Sequence, residues 1–171
     1  PFTEHQIRKA ADAGISEIVL ATSYKAELFQ PYFGNGEKFG IKIKYAVEET
    51  ALGTGGGIRN AAAALDKCDQ VVVFNGDVLS GHDLSAQLDF HLKNKADITL
   101  YLTKVADARA FGCLELAANN RVKSFLEKME NPVSNLINAG CYIFNQQVIE
   151  KISANQVVSV ERQTFPELLA A

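Results

Sequence analysis

Cysteine and histidine, the residues that most often build disulfides and metal sites, are scarce in this chain. Its three cysteines, Cys68, Cys113 and Cys141, are odd in number and form no C-x-x-C pair, and its three histidines share no metal-ligand spacing. Such a pattern is typical of structural thiols in a reducing compartment. We therefore expect a cytoplasmic protein.

The chain also lacks an excess of positive charge and a long apolar run. Its formal net charge is -3 and its pI is about 5.6, so it has no basic surface and we expect no nucleic-acid partner. Its apolar runs are too short to cross a bilayer, and its start does not resemble a signal peptide, so we expect no membrane partner. With 171 residues, 47% hydrophobic content and no repeat or linker, residues 1–171 are predicted to form a single domain.

The stretch Gln70–Asp83 organises the rest of the sequence. Its run Val71–Phe74 is short and unbroken, as in a strand buried on both faces of a parallel sheet, and it ends abruptly at Asn75-Gly76-Asp77. In open α/β sheets, ligands bind at the carboxyl ends of the strands. Asp77 is therefore the first candidate site residue, although an Asp at a strand end also often caps a turn.

The remaining elements predict an α/β domain with a mixed sheet flanked by helices. Thr3 and Gln6 form a candidate capping box for the first helix. No strand precedes that helix, so we expect that either the chain was cut or its first segment belongs elsewhere. Asp83 is a candidate cap for a later helix. The other predicted strands are 18–21, an edge strand at 41–47, 98–102, a hairpin at 112–127, and a buried strand at 137–144 that Asn138-Ala139-Gly140 interrupts.

A dense glycine run follows the edge strand, in LGTGGGIRNAAAAL at Leu52–Leu65. Glycines at a strand-to-helix corner allow close approach of a ligand and leave amide N–H groups free for an anion or a nucleotide. One alternative is a dinucleotide-binding fingerprint, with Asp77 as its acidic residue, but Ile58 takes the place of the third glycine. Another is that the glycines only permit a tight turn.

Five motifs together resemble the sugar-1-phosphate nucleotidyltransferases. They are EETALGTGG at 48–56, FNGD at 74–77, FG at 111–112, FLEK at 125–128 and INAG at 137–140. The resemblance implies a Rossmann-like, mixed and mostly parallel sheet of the nucleotide-diphospho-sugar transferase type. Within the family, the chain is most similar to bacterial members that make GDP-mannose and pyrophosphate from GTP and mannose-1-phosphate.

The resemblance also assigns roles to residues. The nucleotide would contact Leu52, Gly53, Thr54, Gly55, Asn75 and Gly76, and Asp77 would be the catalytic ligand of Mg²⁺. Glu48 would read the base, because its two acceptors match the N1–H and N2 amine of guanine. Alternatively, Glu48 is solvated, and Glu49 or a backbone carbonyl reads the base. The sugar and its phosphate would be held by Gly112, Glu127, Lys128, Asn138 and Ala139.

The sequence departs from the family pattern at both ends. The glycine-rich loop with an arginine and a following lysine, which holds the triphosphate, does not occur in this chain, and the second metal-binding aspartate does not either. We therefore expect a domain truncated at both ends and inactive alone.

The alternatives are a glucose-1-phosphate uridylyl-, thymidylyl- or adenylyltransferase, a non-catalytic relative that senses nucleotide sugars, or a dinucleotide-dependent dehydrogenase. A glycosyltransferase is disfavoured because Asp77-Val78-Leu79 lacks a second carboxylate. The hexose and the oligomeric state, a homo-oligomer included, stay open.

Overall fold

The computed structural model describes residues 1–23, 25–126 and 128–170. Its helices are α1 (Phe2–Asp12), α2 (Phe29–Phe33), α3 (Gly53–Ala62), α4 (Leu84–Asn94), α5 (Gln146–Ile149) and α6 (Phe165–Ala170). Its strands are β1 (Glu17–Thr22), β2 (Lys42–Val47), β3 (Gln70–Phe74), β4 (Ile98–Lys104), β5 (Cys113–Leu116), β6 (Val122–Leu126) and β7 (Leu136–Asn145). A π-helical turn, Val160–Thr164, precedes α6. In these described ranges, no helix is both long and apolar enough to span a bilayer.

The strands form two sheets, and the expected α/β class with a mixed sheet is confirmed. β1 and β2 pair in parallel, from Glu17 opposite Lys42 to Thr22 opposite Val47. In the five-stranded sheet, β7 pairs antiparallel with β3, β4 and β5, and β6 pairs with β5. Parallel pairing therefore occurs between β1 and β2. In the five-stranded sheet, β3 and β4 point in the same direction, because both run antiparallel to β7.

β3 was predicted to lie inside a parallel sheet, and this is wrong in the part of the chain that the structure describes. Its sole strand partner there is β7, so β3 is an edge strand. Val71 is buried, but Val72, Val73 and Phe74 are only partly buried. The predicted hairpin is confirmed as β5 and β6, and the predicted edge strand as β2.

Of the three apolar clusters in the described residues, two hold the sheets to the helices. The larger one centres on Tyr142 and Phe144 of β7, which are fully buried, and includes Phe125 and Phe165 with ring centroids 5.2 Å apart. The smaller one lies between α1 and the β1–β2 sheet and contains the buried Ile7. Burial of such side chains contributes about 1.5–3 kcal/mol each to folding.

The predicted capping box at the start of α1 does not form. The helix begins at Phe2 without a side-chain cap, and the Gln6 amide instead donates to the carbonyl oxygens of Asn75 and Val78, at 2.7 and 2.9 Å. Because Pro1 is the N-cap residue, Thr3 lies inside the first turn and cannot cap the helix, and the Gln6 side chain is directed towards the distant turn. The cap predicted at Asp83 is confirmed, with a bond of 3.0 Å from the Ala86 amide.

β7 is continuous through the segment that was predicted to interrupt it. Gly140 lies within the strand with φ +70°, a conformation that favours glycine. A Cβ on Gly140 would lie 2.9 Å from the Val78 side chain. The pairing of β4 with β7 shifts register between Leu100 and Leu102, so the strand bends there without ending.

Candidate functional site

A cavity of about 1060 Å³ lies between the two sheets and contains the principal candidate residues. Six of the residues predicted to bind the nucleotide or the metal line its walls: Glu48, Gly53, Thr54, Asn75, Gly76 and Asp77. Glu48 follows β2 and Asp77 follows β3, so both lie at carboxyl ends of strands, where α/β proteins bind ligands. The nucleotide and metal residues predicted at 48 and 77 thus share one cavity.

The backbone around Asp77 is firmly held, whereas its carboxylate is exposed. The Asn75 amide donates to the Gly140 carbonyl at 2.8 Å, and the Val78 amide donates to the Asn75 carbonyl at 3.3 Å. Within the described ranges, the Asp77 side chain makes no hydrogen bond or ion pair, so it does not cap the turn. An anchored backbone that presents a free carboxylate suits a cation ligand.

Charge around the cavity is unevenly distributed. Two carboxylates, Glu48 and Asp77, lie at the carboxyl end. The lysines among its described lining residues are Lys42, which pairs with Asp66 at 2.8 Å, and Lys67 beside that aspartate. Asp66 precedes β3, so these cations lie at the opposite end. A polyphosphate beside Asp77 would therefore need positive charge from a bound cation or from residues outside this chain segment.

These surroundings would suit a hard divalent cation such as magnesium. Magnesium uses hard oxygen ligands, often one or two protein carboxylates completed by phosphate oxygens and water. Asp77 offers one such carboxylate. Throughout the described ranges, no group of three or more His, Cys, Asp or Glu side chains could hold a metal, so an all-protein site is not seen there.

The Glu48 carboxylate is half-buried and partly engaged by its own chain. Oε2 accepts a hydrogen bond from the Leu52 amide at 3.0 Å, at the start of α3. Oε1 lies beside Gly57, where a Cβ would come within 2.7 Å of it. The unsatisfied amides of a helix N-terminus thus engage one carboxylate oxygen in this conformation, and the reading of guanine by Glu48 stays a prediction.

The glycine run contacts its own chain, which corrects the expectation of free amides. The Gly55 and Gly56 amides both donate to the Val158 carbonyl, at 2.8 and 3.3 Å, and the Val158 amide donates to Leu52 at 2.9 Å. A Cβ on Gly56 would lie 2.5 Å from the Gln156 carbonyl oxygen. The close approach that these glycines permit is thus to backbone 156–158, while Gly53 and Thr54 stay exposed.

A hydrogen-bond chain that the sequence did not indicate joins the glycine run to β7. The Thr54 hydroxyl donates to Glu161 Oε2 at 2.8 Å, and the Tyr142 hydroxyl donates to Glu161 Oε1 at 3.4 Å. The Asn138 amide donates to the Tyr142 hydroxyl, whose pKa is raised to about 12, chiefly by burial. Glu161 belongs to no recognisable motif, so only the tertiary structure identifies it.

The described residues among those predicted to hold the sugar and its phosphate lie outside the large cavity. Gly112 precedes β5, and a Cβ there would lie 3.1 Å from the Phe125 ring, so this position is closely packed. Ala139 lines a neighbouring cavity of about 170 Å³, and Lys128 is exposed after β6. Glu127 lies outside the described residues. The structure thus brings six of the nucleotide and metal candidates around one cavity, whereas Gly112, Lys128, Asn138 and Ala139 do not line it.

Known proteins resemble this chain over nearly its whole length. Residues 1–167 match the family described as Nucleotidyl transferase. Mannose-1-phosphate guanylyltransferase of Mycobacterium tuberculosis is 52% identical over 170 residues, which are 99% of this chain and 47% of that protein. Mannose-1-phosphate guanyltransferase of Yarrowia lipolytica is 35% identical over 173 residues, with shares of 99% and 47%. The chain thus spans about half the length of the curated relatives it matches.

Solved structures show the same architecture. HddC from Yersinia pseudotuberculosis, which was also solved in complex with GMP-PN, superimposes with a TM-score of 0.80 at 26% identity, over 98% of this chain and 72% of HddC. A UDP-glucose pyrophosphorylase superimposes with a TM-score of 0.81 at 17% identity, over 99% of this chain and 75% of that one, and this likeness shows the fold alone. The fold, the site at the strand ends and the match over residues 1–167 agree: the chain belongs to the nucleotidyl transferase family.

Proposed function

We propose that the protein containing this chain is a mannose-1-phosphate guanylyltransferase, which forms GDP-mannose and pyrophosphate from GTP and mannose-1-phosphate. The observation that carries the proposal is the placement of Glu48 and Asp77 around one cavity, in a chain 52% identical to a bacterial relative of that name. The uridylyl and thymidylyl alternatives have less support, since the structures that bear such names are 17% and 22% identical.

The reaction joins two anions. An oxygen of the sugar phosphate forms a bond to the α-phosphorus of GTP, and the bond from that phosphorus to the oxygen bridging to the β-phosphate breaks, so pyrophosphate leaves with that electron pair. No side chain needs to form a covalent bond in this step. Catalysis depends on alignment of the two substrates and on neutralisation of the negative charge of their phosphates. A bound magnesium ion would supply that neutralisation and polarise the α-phosphate.

The chain's own residues would hold the reactants. Asp77, anchored by its turn and free at its carboxylate, would ligate the cation. Exposed Gly53 and Thr54 would pack against the ribose side of the nucleotide, and Glu48 Oε1 would accept from guanine. Glu48 Oε2 keeps its bond to Leu52, so one carboxylate oxygen positions the side chain while the other reads the base.

We further propose a cytoplasmic location, because the three cysteines are free thiols.

The test of this function is pyrophosphate release from GTP and mannose-1-phosphate with magnesium, measured in the full-length protein and in its Asp77→Asn variant. We expect the variant to lose at least about 100-fold in kcat, the scale seen when one group that stabilises transition-state charge is removed. The matched control is Asp89→Asn on the exposed face of α4, which should change kcat by no more than about twofold. Equal activity of the Asp77 variant and the wild type would refute the assignment.

A further inference from the structure

The turn that carries Asp77 is fixed at its two flanks and not at its centre. Gly76 and Asp77 are both exposed, and among the described residues a Cβ on Gly76 would meet no heavy atom within 4 Å. Side-chain packing around these two residues therefore does not set the direction of the Asp77 carboxylate. That direction depends on the backbone of the flanking residues, Asn75 and Val78.

Helix α1 holds both flanks with a single side chain. Gln6 is only 8% exposed, and its Nε2 donates to the Asn75 carbonyl oxygen at 2.7 Å and to the Val78 carbonyl oxygen at 2.9 Å. Because a carbonyl oxygen can only accept, these two partners identify the group that faces them as the N–H₂ end of the amide and use both of its hydrogens. One neutral amide thus bridges the residues on either side of Gly76 and Asp77.

Strand β7 holds the same turn from another side. The Asn75 amide donates to the Gly140 carbonyl at 2.8 Å, and a Cβ on Gly140 would lie 2.9 Å from the Val78 side chain and 3.1 Å from the Asn75 Cβ. This close contact leaves the turn no room to move towards β7. The turn is therefore held between β7 and α1, and Gln6 provides its hydrogen bonds to α1.

The same face of α1 also holds the segment that follows the turn. Lys9 lies about one helical turn after Gln6, and its Nζ donates to the Ser80 carbonyl at 2.8 Å and to His82 Nδ1 at 3.1 Å. The ammonium group thus contacts the chain beyond the turn, whereas the group that bonds to the turn itself is uncharged. An uncharged donor can orient a cation ligand without adding a positive charge that would repel the cation.

We propose that Gln6 is a positioning residue for the Asp77 carboxylate: its two N–H donors fix the backbone on both sides of Asp77, so that the carboxylate is held towards a divalent cation. The inference rests on the proposed function, in which Asp77 ligates that cation. Gln6 itself touches neither the cation nor the substrates and acts through the backbone of Asn75 and Val78. Residues that orient a metal ligand change metal affinity about 10- to 100-fold when they are replaced.

The test measures binding of Mn²⁺, which uses the same hard oxygen ligands as magnesium, to the full-length protein without nucleotide. The electron paramagnetic resonance signal of free Mn²⁺ reports the affinity, and Asp77→Asn gives the background from other sites. Gln6→Met keeps the side-chain length but removes both donors, and we expect it to bind Mn²⁺ about 10- to 100-fold more weakly. If circular dichroism shows that Gln6→Met is unfolded, Gln6→Asn replaces it. That variant keeps the amide but is one methylene shorter, and we expect an affinity between those of the wild type and Asp77→Asn.

A kinetic measurement separates this role from a purely structural one. In Gln6→Met, the magnesium concentration that gives half the maximal rate should rise by the same factor as the loss of Mn²⁺ affinity. The KM for mannose-1-phosphate at saturating magnesium should change by no more than about twofold. The matched control is Ile7→Val, which loosens the packing of the same helix in the smaller core without removing a hydrogen bond to the turn, and its Mn²⁺ affinity should equal that of the wild type.

The outcomes distinguish this inference from the proposed function on which it rests. Wild-type Mn²⁺ affinity in the folded Gln6 variant, or an equal loss in Ile7→Val, would overturn the role of Gln6 alone. Wild-type affinity in Asp77→Asn would overturn that role together with the assignment of Asp77 as the cation ligand.

Discussion

Replacement of Gly56 by alanine tests whether the glycine run serves packing against its own chain. Gly56 is buried in the first turns of α3, and a Cβ there would lie 2.5 Å from the Gln156 carbonyl oxygen and 2.8 Å from the Leu52 Cβ. Both distances are far below ordinary van der Waals contact. The first neighbour is backbone, so it cannot move without displacing the segment 156–158.

The expected magnitude follows from three opposing contributions. Alanine gains about 1 kcal/mol of helix propensity over glycine. Overpacking costs about 1–3 kcal/mol, and displacing Val158 weakens the bonds it accepts from Gly55 and Gly56, each contributing about 1 kcal/mol. We therefore expect Gly56→Ala to lower the free energy of unfolding by about 1–3 kcal/mol, taken as the net of these contributions.

Urea unfolding of the 171-residue chain, followed by circular dichroism, measures this change. Gly57→Ala is the matched control, because its Cβ would meet only the movable end of the Glu48 side chain within 4 Å. That variant should be unchanged or more stable by up to about 1 kcal/mol. If Gly56→Ala were as stable as Gly57→Ala, the glycine run would not be packed as described.

Two further predictions concern the polar anchors of the fold. The Lys42 side chain lowers the pKa of the exposed Asp66 to about 2, so the ion pair stabilises the fold above the usual pKa near 3.8, and this stabilisation is lost as the pH falls towards 2. Between pH 5 and pH 2, the melting temperature should therefore fall more steeply for the wild type than for Asp66→Asn. Parallel curves for the two proteins would contradict this. Gln6→Ala should cost about 1–3 kcal/mol in urea unfolding, because it removes a buried side chain that donates to the partly buried turn at Asn75. Exposed Gln30→Ala should stay within about 0.5 kcal/mol, and equal effects of the two substitutions would contradict this role of Gln6.

The sequence predicted those features that depend on local patterns. The apolar run before Asp77 ends where β3 ends, and the Asp83 cap and the hairpin of β5 and β6 form as expected. The carboxyl-edge rule for α/β sheets also predicted that residues after β2 and β3 would share a cavity, as Glu48 and Asp77 do.

Features that depend on distant partners could not be predicted in this way. The glycine run contacts Val158, about a hundred residues further along the chain, and the Gln6 amide reaches Asn75 and Val78 instead of capping its own helix. A polar side chain takes the partner with the best geometry in the folded state, and local spacing carries no information about a partner so far away.

The most direct test of the central claim is the ratio of GTP to UTP use by the full-length protein and its Glu48→Gln variant. A glutamine can keep its oxygen on the Leu52 amide, but it then presents an N–H₂ group to the donors of guanine. We predict that kcat/KM for GTP relative to UTP falls about 10- to 100-fold, the value of one hydrogen bond to a charged group. Exposed Glu49→Gln should leave the ratio unchanged. An unchanged ratio in Glu48→Gln, or a fall in Glu49→Gln instead, would contradict the account.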